Sequence, residues 1–172
     1  NFIEPLIVEN SGVKNYKQGV RPLKNGVVID HISRGSTPQE IHYNMNQIQK
    51  ILGLYDIGGS WVAESESNSG VYKGLIFLPN TNKLKEKEMK RLAAISPNCR
   101  VNVIEDHKVK EKLLLNMPDQ IYNFKEISCT NENCISSYLN KEPMGAHFYN
   151  KEGIFECKYC EKPHNYKEIW KK

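Results

Sequence analysis

Four of the five cysteines fall within the last 44 residues, and they come as two close pairs. Cys129 and Cys134 are separated by four residues, Cys157 and Cys160 by two, and the pairs by 22. Two close pairs joined by a loop meet the needs of a tetrahedral metal site. Each pair grips the ion from one turn, and the loop lets the turns face each other. Thiolates favour zinc, and four of them close the coordination sphere, so the expected centre is a structural Zn2+. Its binding energy would then be folding energy. An iron–sulfur cluster would use the same ligands; two disulfides or unrelated thiols are the alternatives without metal. His147 and His164 are further ligand types nearby. Cys99 stands apart in an alternating apolar stretch and reads as a buried core thiol. Asn131 and Asn133 lie in the first ligand loop, where an amide either bonds back to the backbone or reaches a partner.

A small cysteine-bearing segment needs such a staple because residues 114–172 are short stretches rich in Asn, Lys and Glu with few core-forming residues. The preceding part differs. Residues 26–32 (GVVIDHI) form a β-branched run after Asn25-Gly26, which predicts a strand. Thr37 can cap a helix, Pro38 suits its first position and Glu40 completes a capping box. Ile41, Met45, Ile48 and Leu52 then recur on one helical face, and Gly53 ends the helix. Residues 60–65 and 71–78 read as strands around a Ser67–Gly70 hairpin turn. A second helix is expected from about Lys83 to Ile95, stopped by Pro97, and residues 99–105 alternate as a last strand. The order β-α-β-β-α-β is the split β-α-β (ferredoxin-like) arrangement of an α+β fold, with both helices on one face. Residues 1–19, interrupted by Pro5, Gly12 and Gly19, read as an arm or linker. The expected organisation is therefore an arm (1–19), a first domain (20–113) and a small β-rich domain (114–172).

Charge follows the same division. Residues 1–113 hold 16 Lys and Arg against 12 Asp and Glu, and residues 114–172 hold 8 of each. A net +4 is too mild for a nucleic-acid binder and suits a small polyanion. The neutral cysteine-rich part disfavours a zinc ribbon that grips phosphates. No apolar run approaches the ~20 residues of a membrane span. No secretory leader is visible, and an odd cysteine count argues against a secreted disulfide scaffold, so a cytoplasmic site is expected. The first residue is Asn, which leaves open a longer product. No nucleophile–base pair or open metal site points to an enzyme.

NGVVIDHI at 25–32, SPNCRVNVIEDH at 96–107, CTNENCIS at 129–136 and CKYCEK at 157–162 together resemble the regulatory chain of aspartate carbamoyltransferase. The likeness spans about residues 20–166. It implies a non-catalytic component of pyrimidine biosynthesis, with a nucleotide-binding allosteric domain that pairs in a homodimer. It also implies a zinc domain that docks on the catalytic chain. CTP, UTP and ATP are the effectors the likeness implies. By position, Asp30 and His31 match the strand residues that meet base, ribose or phosphates. Pro22, Leu23 and Val28 match the base lining, and Asn102 and Ile104 the last strand's contribution. His107 stands where the family often has Tyr. Val109 follows, and Lys73 and Lys112 match phosphate-binding lysines. Four residues after Lys73, where the family has a further effector lysine, this chain has Phe77. A structural adaptor that docks through its zinc domain but has lost nucleotide sensing is therefore the alternative.

Overall fold

In the computed structural model, residues 2–8, 17–18, 21–54, 57–141 and 144–170 are described. The chain divides into two compact units, Asn1–Met117 and Pro118–Lys172.

The first unit is built on β4 (Gly26–Ile32), α1 (Pro38–Leu52), β5 (Gly59–Glu64), β6 (Tyr72–Pro79), α2 (Glu86–Ile95) and β7 (Arg100–Glu105), the expected β-α-β-β-α-β order. Local chemistry explains the boundaries of α1. Thr37 Oγ1 accepts the Glu40 N–H at 3.2 Å, and Gly53 closes the helix at φ 66°, a left-handed value that favours glycine. Its buried stripe is Ile41, Met45 and Ile48; Leu52 is only half-buried. The second helix starts at Glu86 rather than Lys83. Lys85 holds the N-cap position, and its N–H donates to Glu88 Oε1 at 3.0 Å.

Two strands of the main sheet escape the sequence pattern. β8 (Lys108–Leu115) pairs with β7, and β1 (Ile3–Leu6) pairs with β8. Part of the expected arm, residues 3–6, is thus an edge strand, which Pro5 tolerates because an outer strand can spare an N–H. Residues 1, 9–16 and 19 of that arm lie outside the described residues. β8 also carries the sheet through Leu115, past the expected boundary at 113. Short strands β2 (Lys17–Gln18) and β3 (Arg21–Pro22) pair with each other. The main sheet runs β1-β8-β7-β4-β6-β5, with every pair antiparallel.

The two faces of this sheet differ. A Cβ on Gly74 would sit 2.7 Å from Met45 Sδ and 2.9 Å from Ile41 Cγ2, so the Gly74 face carries α1. Ile76, two residues on, shares that face and stands across from Ile29, which stands across from Val101. Val28 points the other way, opposite Phe77 on one neighbour and Asn102 on the other. Asp106 and His107, at φ 50° and 66°, form the two-residue left-handed turn that joins β7 to β8.

The second unit is a four-stranded antiparallel sheet ordered β12-β11-β10-β9. Its strands are β9 (Gln120–Tyr122), β10 (His147–Lys151), β11 (Ile154–Cys157) and β12 (Pro163–His164). Ile121, Phe148 and Phe155 are its largest fully buried side chains, joined by Ile169 from a short 3-10 turn, Tyr166–Ile169. That is a very small core, as the composition requires. Among the described residues no helix is long and apolar enough to cross a membrane.

Candidate metal centre and effector face

The Sγ atoms of Cys129, Cys134, Cys157 and Cys160 all lie within 4.8 Å of one another. Cys129 and Cys160 are 3.6 Å apart, and Cys134 and Cys157 3.7 Å. A tetrahedral site with ~2.3 Å zinc–sulfur bonds needs sulfurs about 3.8 Å apart, so the donor set fits zinc. The turns are held by their own backbones. Cys134 N–H donates to Asn131 O at 2.9 Å, and Glu161 N–H to Cys157 O at 2.9 Å. Asn131 Oδ1 accepts the Asn133 N–H at 3.1 Å, so this amide bonds back to its own loop; Asn133 itself is exposed.

Three ligands are buried and Cys160 is half-buried. Burial pushes the Cys129 and Cys157 thiols up. Burial works against ionisation of Cys160 too, but the Lys162 N–H and contacts with Asn131, Cys129 and Cys157 bring it down to about 7. Zinc binding must therefore displace protons from the buried thiols. When bound, the ion joins the two cysteine pairs and supplies folding energy. Ser136 was not expected here. Its Oγ lies 3.2 Å from Cys134 Sγ and 3.7 Å from Cys157 Sγ, touching one ligand of each pair.

Neither histidine belongs to the four-donor cluster. His147 stacks on Tyr122 with ring centroids 4.7 Å apart, and its Nε2 contacts Gln120 Oε1 at 2.8 Å. His164 is close, but its Nε2 already accepts the Thr130 N–H at 3.1 Å. Cys99 lies in the other unit with no exposed surface, where burial raises its thiol to about 12. It is the core thiol that its setting suggested.

The remaining candidate residues belong to the first unit. Leu23, Val28, Phe77 and Ile104 form one buried cluster, with Leu75 and Val109 packed against it. Asn102 is buried in register with Val28 on one side and Lys112 on the other. Lys73 Nζ lies 3.0 Å from Asp30 Oδ1, and both side chains are nearly buried. Burial alone would raise the Asp30 carboxyl. Its hydrogen bond with His31 and the Lys73 charge outweigh that and hold it well below the usual carboxylate range. His31 sits at φ 58° where β4 slips register, its N–H 2.6 Å and its Nδ1 3.4 Å from the same Asp30 oxygen. Asp30 favours the charged imidazole, yet burial and the charges of Lys73 and Arg100 leave its pKa lowered. Arg100, paired with Asp30 across the sheet, was not among the expected residues. His107 is exposed in its turn, where its N–H donates to Lys24 O at 2.9 Å. Pro22 is in β3; its side chain lies outside the described residues.

Residues 18–116 match the family model described as the allosteric domain of the aspartate carbamoyltransferase regulatory chain, and residues 119–170 match that of its metal-binding domain. The chain belongs to the aspartate carbamoyltransferase regulatory chain family. A regulatory chain from Parabacteroides distasonis is 30% identical over 164 residues, covering 92% of this chain and 97% of that protein. A protein from Thermotoga maritima named PyrBI is 44% identical over 168 residues, covering 96% of this chain but 32% of its own length. PyrBI of Treponema denticola is 40% identical over 164 residues, 94% of this chain and 31% of that protein. The chain thus spans about a third of the PyrBI proteins and nearly all of the separate regulatory chain. Membership explains the two-unit organisation, and the four-cysteine cluster is the structural zinc site of the metal-binding domain.

Proposed function

We propose that this chain is the non-catalytic regulatory component of aspartate carbamoyltransferase. On this reading it binds nucleotide effectors on its first unit and docks on the catalytic chain through its second. One observation carries the effector half. By register, Asp30, Lys73, Asn102 and Lys112 share the sheet face away from α1 with the cluster of Leu23, Val28, Phe77, Ile104 and Val109. An apolar floor with a buried amide suits a base, and flanking cations suit phosphates. Pro22 and His107 would complete the rim. CTP, UTP and ATP are the expected effectors, and the first unit would pair in a homodimer.

Docking is supported by the loop between the cysteine pairs. Ile135, Tyr138, Leu139 and Met144 are each more than half exposed there, an apolar concentration that a partner would cover. Asn131 and Asn133 lie on the adjoining ligand loop. The catalytic chain would be a separate subunit or, as in a protein of PyrBI length, part of the same polypeptide. The compartment on this reading is the cytoplasm.

The test mixes the zinc-loaded chain with its catalytic chain. Association at micromolar concentration is expected, weakened at least tenfold by Tyr138→Asp with Leu139→Asp. No association rejects the docking half. The effector half is tested by calorimetry with CTP and ATP.

A specific observation favours a second reading. Phe77 is 5% exposed and packs edge-to-face on Trp61, ring centroids 4.8 Å apart. An aromatic pair stands where an ammonium is expected, which suits an adaptor that docks without sensing nucleotides. Binding of CTP or ATP that Lys112→Ala abolishes rejects the adaptor. No heat with either nucleotide rejects the effector site.

A further inference from the structure

We propose that His164 is a positioning residue of the metal centre, whose ring ties the first cysteine pair to the strands carrying the second through hydrogen bonds of its own. His164 is 2% exposed and pairs in register with Phe155. Its Nε2 faces the Thr130 N–H at 3.1 Å, and Thr130 directly follows Cys129. On the other side, Nδ1 is 2.9 Å from Lys162 O and 3.3 Å from Phe155 O. A backbone N–H can only donate and a carbonyl can only accept. The ring is therefore held as one tautomer, with Nδ1 protonated and Nε2 bare.

Both bonds lead to ligands. Lys162 O also accepts the Cys157 N–H at 3.1 Å, and Thr130 carries the chain away from Cys129. One rigid imidazole thus spans the two pairs. Phe148 packs against it with ring centroids 5.1 Å apart and the planes at 75°, which fixes its tilt. Nε2 is 3.7 Å from Cys129 Sγ, but its lone pair is committed to Thr130. His164 acts on the metal through ligand position and is not a ligand itself. With zinc held by the four cysteines, this strap would keep the two ligand loops facing each other and so slow loss of the ion.

The experiment uses the full zinc-loaded chain and measures zinc transfer to a colorimetric chelator, together with hydrogen exchange at the Thr130 amide. His164→Phe keeps ring volume and removes the acceptor; His164→Gln offers an acceptor oxygen near the Nε2 position. Partners that orient metal ligands are worth about 10–100-fold in metal retention. His164→Phe is expected to lose zinc about 10–100-fold faster with an unprotected Thr130 amide, and His164→Gln to stay within a few-fold of wild type. Wild-type zinc retention by His164→Phe overturns the proposal. So does a His164→Gln chain that loses zinc as fast as His164→Phe, because ring packing is then the operative contribution. If His164→Phe does not fold, His164→Gln decides: retained zinc with a protected Thr130 supports the strap, and rapid loss overturns it.

Discussion

Lys73 and Asp30 form a nearly buried ion pair, Nζ to Oδ1 at 3.0 Å, joining β6 to β4 on the face where the candidate effector residues gather. One of the two lysines that the sequence offers for a polyanion is thus already partnered inside the protein. Any anion arriving here must compete with Asp30 for that ammonium, or accept it while the carboxylate is satisfied by the His31 N–H.

Removing one partner should cost more than removing both. Asp30→Ala leaves an ammonium buried without its counter-charge, and a loss of about 3–5 kcal/mol is expected. Asp30→Ala combined with Lys73→Met should recover part of it. Urea unfolding of the three chains measures both numbers.

Acid should weaken the first unit in two stages. The folded-state pKa of His31 is lowered, so its contribution is full above about pH 6.5 and falls as pH drops below that. Asp30 is also held below its unfolded value, so its contribution is full above about pH 4 and is lost on further acidification. Urea midpoints against pH, read from Trp61 fluorescence in a Trp170→Phe background, should show both steps. Asp30→Asn should remove the lower one.

Stripping the metal should unfold one unit and spare the other. A chelator, or Cys157→Ser, is expected to collapse the amide spectrum of Pro118–Lys172 while the sheet of Asn1–Met117 keeps its dispersion. Loss of both spectra together, or of neither, contradicts this.

Gly74→Ala should be costly although glycine is a poor strand former. The new methyl meets Met45 Sδ at 2.7 Å and Ile41 Cγ2 at 2.9 Å, and overpacking of this kind costs about 1–3 kcal/mol. Met45→Ala in the same chain should return part of the loss, which a double-mutant cycle by denaturant unfolding would measure.

The parts legible in the sequence are those where one signal dominates. Thr37, Pro38 and Gly53 punctuate α1, and its apolar spacing identifies the buried face. Close cysteine pairs announce a metal whatever surrounds them. β8 was hidden because Lys108, Lys110, Glu111 and Lys112 interrupt any apolar run on a strand only partly buried. β1 was hidden by Pro5, which is tolerable only at an edge that the sequence does not reveal. The candidate effector residues could be named by likeness but not their mutual pairing, since Asp30 meets Lys73 across strands 43 positions apart. Ser136 gave no warning, and His164 showed only as a spare ligand type. Their parts in the metal centre depend on hydrogen bonds to residues brought near only by folding.

The pairing of β1 with β8 has a mechanical side. The ladder is antiparallel, with Ile3 opposite Leu115 and Leu6 opposite Lys112, and Asn116 N–H donates to Phe2 O at 2.7 Å just beyond it. Residues 2 and 116 therefore leave the sheet at the same end. Tension between them loads the first rung alone and then the next, as in opening a zipper, whereas a lengthwise pull would load all rungs at once. The strands that begin and end this unit are its weakest seam under force. A segment peeled from that seam exposes the free edge of β8, while the β7-β4-β6 centre beneath stays whole.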